Sequence, residues 1–293
     1  MDAVSLLQVG TAFVQYAAFA WLAGSWCSRF WLPSAALQAL RSTDLLAAGL
    51  AALAGLAWLW AATAVMAGES LGESLPMLWT MLRTTGQGAA GSAAIAAMLA
   101  VLAARRRCRP RQACIAVQGL ALLAFAVARA SLGHAGESGW WSLPLLAETV
   151  HFIAAAIWSG IVCVSGWQVL RPATAAPLTP AQAGQHLAWM SHTALAAVLA
   201  IALTGLYNGV ERVGAADNLL HTGYGIALLV KVVLVALAIG MGGFNKFVGM
   251  PAAASAAQGA TLVRHVLLLE SIVLLSVLAV ASWLVTQAPP GAM

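Results

Sequence analysis

Runs of apolar residues, each about as long as a bilayer is thick, follow one another along this chain with short polar breaks between them. A window of roughly 20 residues, the helical length that crosses the hydrocarbon core, finds apolar spans at 4–27, 44–67, 86–104, 112–132, 144–169, 184–208, 222–246 and 262–286. The pattern predicts an all-α, polytopic membrane protein with eight transmembrane helices, organised as a single integral-membrane domain over residues 1–293. The connections are SRFWLPSAALQALRST, GESLGESLPMLWTMLRTTGQG, an arginine cluster, GHAGESGWWSLP, RPATAAPLTPAQAG, GVERVGAADNLLHTG and KFVGMPAAASAAQG. None is long enough for a soluble domain, so chemistry belongs within the bundle or at its mouths.

Composition agrees: 62% of residues are hydrophobic and 8% charged, against about 25% charged in soluble domains. Mean hydropathy is +0.88. The net charge of +5 does not point to nucleic acid, because the arginines concentrate in one short stretch, RRRCRPR (105–111), without aromatic residues between them for base stacking. It is a topology signal instead. Ten of the fourteen basic residues fall in the odd-numbered connections (Arg29, Arg41, Arg105, Arg106, Arg107, Arg109, Arg111, Arg171, Lys246 and Arg264), and Arg83 and Arg212 in the even ones. The positive-inside rule then makes the odd connections cytoplasmic and both termini periplasmic. The first span carries Asp2 and no clear small-residue cleavage site, so it is expected to stay as a helix rather than be removed as a signal peptide. Cys27, Cys108, Cys114 and Cys163 fall toward the cytoplasmic side in no zinc or redox spacing, so no disulfide framework is expected. Cys108 among its arginines is the one with a potential soft-metal role.

Two charges stand inside apolar spans: Lys231 in IALLVKVVLVALAI and Glu270 in HVLLLESIVLLSVLAVASW. At helix centre each costs about 2.5–3.5 kcal/mol to insert, and near equal depth on antiparallel neighbours they are expected to form a buried pair. Above them the predicted outer mouth gathers His134, Glu148, His151, Tyr207, Asn208, His221 and Tyr224. Glu148 and His151 share a helix face, as do His221 and Tyr224. His186, His192 and His265 lie toward the cytoplasm. Imidazole and thioether favour copper, and Met66, Met77 and Met81 are on the outer side, the last two in a short amphipathic segment anchored by Trp79. The competing reading is that these methionines pack on neighbours or dip into lipid. The histidines could equally be held in structural hydrogen bonds, and tryptophans such as Trp140 and Trp141 read as an interfacial belt.

An ordered set of motifs goes further. SLGHAG (131–136), HFIAAAIWSG (151–160), LTGLYN (203–208), TGYGIALLVK (222–231), FNKF (244–247) and RHVLLLE (264–270), with TTGQG (84–88) ahead of the third span, resemble the CopD family of bacterial inner-membrane copper proteins. The resemblance is strongest over residues 80–290. It implies an eight-helix inner-membrane protein of copper homeostasis, moving copper from periplasm to cytoplasm, often beside a separate periplasmic copper-binding protein, CopC. The matching positions are His134, His151, Trp158, Gly160, Tyr224, Lys231, Asn245, Arg264 and Glu270. The first span resembles the family poorly, lacking an early basic residue, and His192 stands where the family more often has another residue.

On this reading copper enters at the outer mouth, with His134, His151, Glu148 and His221 as candidate ligands, Met77 or Met81 as first contacts and His192 further along. Lys231, which cannot ligate while protonated, is expected to neutralise Glu270 or hold the bundle together, and a change in that pair could gate passage. Three alternatives stay open: a b-type haem held by His151 and His192, a proton-coupled carrier using Lys231 and Glu270, and a sensor that binds without flux. No Walker A, HExxH, GxSxG or CPC-type signal is present, so no enzyme activity is expected.

Overall fold

In the computed structural model the described residues are 2–107, 111–172, 177–255, 257–288 and 290. Cys108 and Arg109 lie outside them. The elements are α1 (Ala3–Ser28), α2 (Ser34–Ala39), α3 (Arg41–Ala67), α4 (Leu71–Thr84), α5 (Gly86–Arg107), α6 (Arg111–Ser131), a 3-10 turn (His134–Ser138), α7 (Leu143–Val164), α8 (Pro180–Val213), α9 (Asn218–His221), α10 (Gly223–Phe244), α11 (Met250–Ser255) and α12 (Ala257–Leu284). No strand occurs among the described residues, and eight helices are long and apolar enough to cross a membrane, one for each predicted span. The end of the bundle where α1 begins and α12 finishes is called here the terminal end, and the other the arginine end.

Local sequence explains the boundaries. Pro180 starts α8 at its first position, and Thr179 and Gln182 cap it reciprocally. The helix then runs 34 residues to Val213, about 51 Å at 1.5 Å per residue, well beyond the predicted 184–208. α4 begins with a capping box in which Ser70 holds the Glu73 carboxyl below its usual range through a hydroxyl and a backbone N–H. Its exposed Leu75, Met77 and Trp79 suit the expected interfacial helix, and Arg83 lies over the Trp79 ring at 4.0 Å.

Two features have no counterpart in the apolar pattern. α7 ends in a π-helical turn at Ser165–Val169 and α10 in another at Asn245–Gly249. The second lets the seventh span continue through α11 to Ala253.

Helices in lipid associate through close packing rather than hydrophobic exclusion, so small residues set the contacts. α1 sits at the centre, against α3, α7, α12 and α6. Ala20 and Gly24 of α1 meet Gly160 of α7 backbone to backbone, where any Cβ would overlap main-chain atoms. Alanines of α3 and α5 (Ala47, Ala48, Ala51, Ala94, Ala97) and the rings of Phe19, Phe125 and Phe152 fill the space beside it. By contrast α8 leans on α7 and α10 on α12, with little contact between α8 and α10. Their free faces carry Leu199, Leu203 and Leu206, and Val230, Val233 and Leu237, side chains suited to lipid.

Candidate functional site

Three groups of charged and polar side chains stand out inside the bundle. At the arginine end, Asp44 in the first turn of α3 is buried and paired with Arg105 of α5, with Arg29 at 3.8 Å. Its carboxylate also accepts from Trp21 Nε1 at 3.1 Å and Ser25 Oγ at 2.7 Å. Arg29 and Arg105, read from sequence as topology markers, therefore also clamp α1, α3 and α5 together.

The second centre lies between α7, α8 and α10 in the terminal half. Glu148 accepts from Arg212 at 2.6 Å and Asn208 at 2.9 Å, and the Tyr224 phenol lies against Arg212. One turn along α7, His151 Nδ1 is 3.1 Å from Thr204 Oγ1. Thr204 already donates its proton to Ala200 O at 2.6 Å, so the bond is donated from Nδ1, and Nε2 is the lone-pair nitrogen. That is the tautomer a metal-binding imidazole needs, set by a partner behind it. Gly205 gives the ring room, since a Cβ there would stand 3.2 Å from His151 Cε1. Lys231 belongs to this centre, where the charges acting on it are those of Glu148 and Arg212.

The third centre is deeper. Glu270 on α12 accepts from Trp158 Nε1 at 3.3 Å and faces Gly242, whose Cβ would lie 3.5 Å from its Oε1. The surrounding frame is tied by Trp167 Nε1 to Ser271 Oγ at 2.9 Å, Arg264 Nε to Gly166 O at 3.2 Å and Asn245 Nδ2 to Val263 O at 3.4 Å. Each of the two π-turns is thus pinned to α12 by a side-chain hydrogen bond.

The expected Lys231–Glu270 pair is not formed. No ion pair joins them among the described residues, and Glu270 faces a residue eleven positions beyond Lys231, about 16 Å along α10. The reason is the π-turn: a seventh span of Gly223–Ala253 has its midpoint near Ala238 rather than Lys231, so Lys231 sits toward the terminal end while Glu270 stays central.

The other candidates scatter. His134 and His221 are at the terminal end, exposed and engaged with Glu137 at 3.3 Å and Asp217 at 3.1 Å. Met77 is exposed on α4. Met81 is buried against Ala12, Trp58 and Leu59, with its sulfur 2.8 Å from the Thr63 hydroxyl, so its expected part as a first copper contact gives way to core packing. His192 is exposed on α8 beside Trp189, twelve residues, about 18 Å, from the Thr204 that His151 touches. The two histidines do not face one another as axial haem ligands would. No group of three or more His, Cys, Asp or Glu side chains positioned to hold a metal occurs among the described residues, so His134, Glu148, His151 and His221 do not converge on one ion.

His186 is structural. It accepts from Trp31 Nε1 at 2.8 Å and lies 2.9 Å from Ser165 Oγ, whose proton goes to Ile161 O. Asp44, Tyr16, Gln15 and Arg129 were not singled out from the sequence. A usable signal existed for Asp44 and Arg129, each a charge within or at the edge of an apolar run.

Residues 1–143 match the family model described as Copper resistance protein D-like, N-terminal domain, and residues 184–284 match the one described as Copper resistance protein D. No curated protein and no solved structure matches the chain.

Proposed function

The chain belongs to the copper resistance protein D family, and on that footing we propose that it carries copper across the bacterial inner membrane, from the periplasm at the terminal end to the cytoplasm at the arginine end. The observation that carries the reading is the stacking of two unlike centres along α7: His151, with its Nε2 lone pair, and below it Glu270, a buried carboxylate whose one hydrogen bond among the described residues comes from Trp158. A cation crossing hydrocarbon needs successive donors, because each stretch without one restores the full desolvation cost. His134, His221 and Met77 serve as loose first contacts at the mouth, His151 as the first internal donor and Glu270 as the mid-membrane counter-charge. Lys231 and Arg212 place positive charge beside His151, which slows entry of a bare cation and favours copper delivered by a separate CopC-like carrier.

A metal-free, proton-coupled carrier is the second reading, favoured by Glu270 having no cationic partner among the described residues. Copper uptake into liposomes holding the purified protein separates the two. The expected result is saturable uptake by wild type, reduced at least about tenfold in His151→Gln, the scale on which disturbed ligand shells act. Bound copper without flux would make the protein a sensor, and pH-driven flux of protons without copper would establish the second reading.

A further inference from the structure

Apart from Glu270 at mid-depth, Asp44 is the one side-chain carboxylate outside the terminal half among the described residues. Its oxygens are already taken by Arg105, Arg29, Trp21 and Ser25, as many donors as a carboxylate has lone-pair directions. Nothing is left over for Arg41, three residues earlier in the first turn of α3. Arg41 Nη2 donates instead to the main-chain carbonyl of Arg106, in the last turn of α5, at 3.4 Å, which brings these two arginines together. Neither has an ion-pair partner among the described residues. The charges of Arg29 and Arg41 both act on Arg105, so four guanidinium groups at the ends of α1, α3 and α5 share one carboxylate. Arg41 also stands at the positive end of the α3 dipole, against the field of its own helix.

Arg41 is the first residue of one candidate membrane span and Arg106 the last of the next, the depth at which hydrocarbon gives way to headgroups. Both residues are exposed. Ala96, Leu99 and Ala103 are exposed as well, and their spacing lines them up with Arg106 on one face of α5. The result is a shallow apolar strip that ends in a guanidinium.

We propose that Arg41 and Arg106 hold the phosphate of an anionic phospholipid from the leaflet at the arginine end, with an acyl chain lying along Ala96, Leu99 and Ala103. Guanidinium groups match phosphate oxygens in geometry as well as charge, and a basic cluster between helix ends is the usual seat of an anionic headgroup. The strip is what selects a lipid over free phosphate, because a soluble anion has no use for an apolar face in line with the charge. A zwitterionic lipid brings its own cation and offsets none of the excess. The bound headgroup bridges α3 and α5 from outside as Asp44 does from within, and so stabilises the first half of the chain. The assignment rests on no part of the copper reading, and its test needs no copper.

The test follows thermal unfolding of purified, copper-free protein in a neutral detergent as phosphatidylglycerol, phosphatidylcholine or sodium phosphate is added at matched ionic strength, with native mass spectrometry counting the lipid retained. Wild type should gain several degrees in Tm, saturably, with phosphatidylglycerol alone, and should retain one such lipid. Arg41→Gln and Arg106→Gln should each raise the half-saturating phosphatidylglycerol about fivefold, the loss expected for one cation at an anionic lipid surface. Arg106→Gln decides the matter should Arg41→Gln not fold. Arg171→Gln and Lys246→Gln remove exposed charges from other connections at the arginine end and should leave the midpoint unchanged. Equal loss in all four variants makes the attraction a diffuse property of that end and overturns the proposal. Absence of any gain in wild type, or a gain matched by phosphatidylcholine or sodium phosphate, overturns it too.

Discussion

Asp44 and Glu270 are both carboxylates sunk inside the bundle, 1% and 2% exposed, and they are solvated in opposite ways. Asp44 is paired with Arg105, approached by Arg29 and hydrogen-bonded by Trp21 and Ser25. Among the described residues Glu270 has a single indole N–H at 3.3 Å and the bare face of Gly242. A saturated buried ion holds its neighbours and has no capacity left for a passing ligand. An under-satisfied one contributes little to stability and keeps oxygen lone pairs for a cation or proton. The same contrast separates the halves they belong to: α1, α3 and α5 pack closely on alanines, whereas α8 and α10 each lean on one neighbour.

The largest effect that would break this contrast concerns folding. Asp44→Asn leaves Arg105 buried without its counter-charge and should cost about 3–5 kcal/mol, read as a lower unfolding midpoint in detergent. Glu270→Gln, nearly the same shape, should alter stability by less than about 1 kcal/mol while lowering copper uptake to background. If Glu270→Gln destabilises as strongly as Asp44→Asn, the two carboxylates are not different in kind. Next in size, Thr204→Val removes the acceptor that fixes the His151 tautomer and should weaken copper binding about tenfold by titration of the purified protein. Smallest is Met81→Leu, a volume-conserving change in a packed site that should cost less than about 1.5 kcal/mol and leave copper uptake unchanged.

All eight spans were legible, because a run of about twenty apolar residues has few other uses. Their ends were not where the chain departs from a regular helix. The continuation of the seventh span through Asn245–Gly249 depends on a π-turn held by Asn245 against α12, a tertiary contact with no local hydropathy signature. That one irregularity carried the Lys231–Glu270 expectation with it, since depth was counted from apparent span midpoints. Grouping Glu148 with His151 succeeded because spacing of three residues on one helix is local information. Arg212 and Thr204, which complete that centre, come from another helix whose rotation about its axis the pattern does not specify. Met81 failed as a metal contact for a related reason: an amphipathic helix shows which face is apolar, not whether that face meets lipid or Trp58.

The most direct measurement is copper uptake by proteoliposomes of Glu270→Gln and Asp44→Asn, each scaled to the amount of folded protein. The expected result is background uptake by Glu270→Gln at a wild-type unfolding midpoint, beside wild-type uptake per folded molecule in Asp44→Asn. Wild-type uptake by Glu270→Gln would contradict the assignment of the under-satisfied carboxylate to transport.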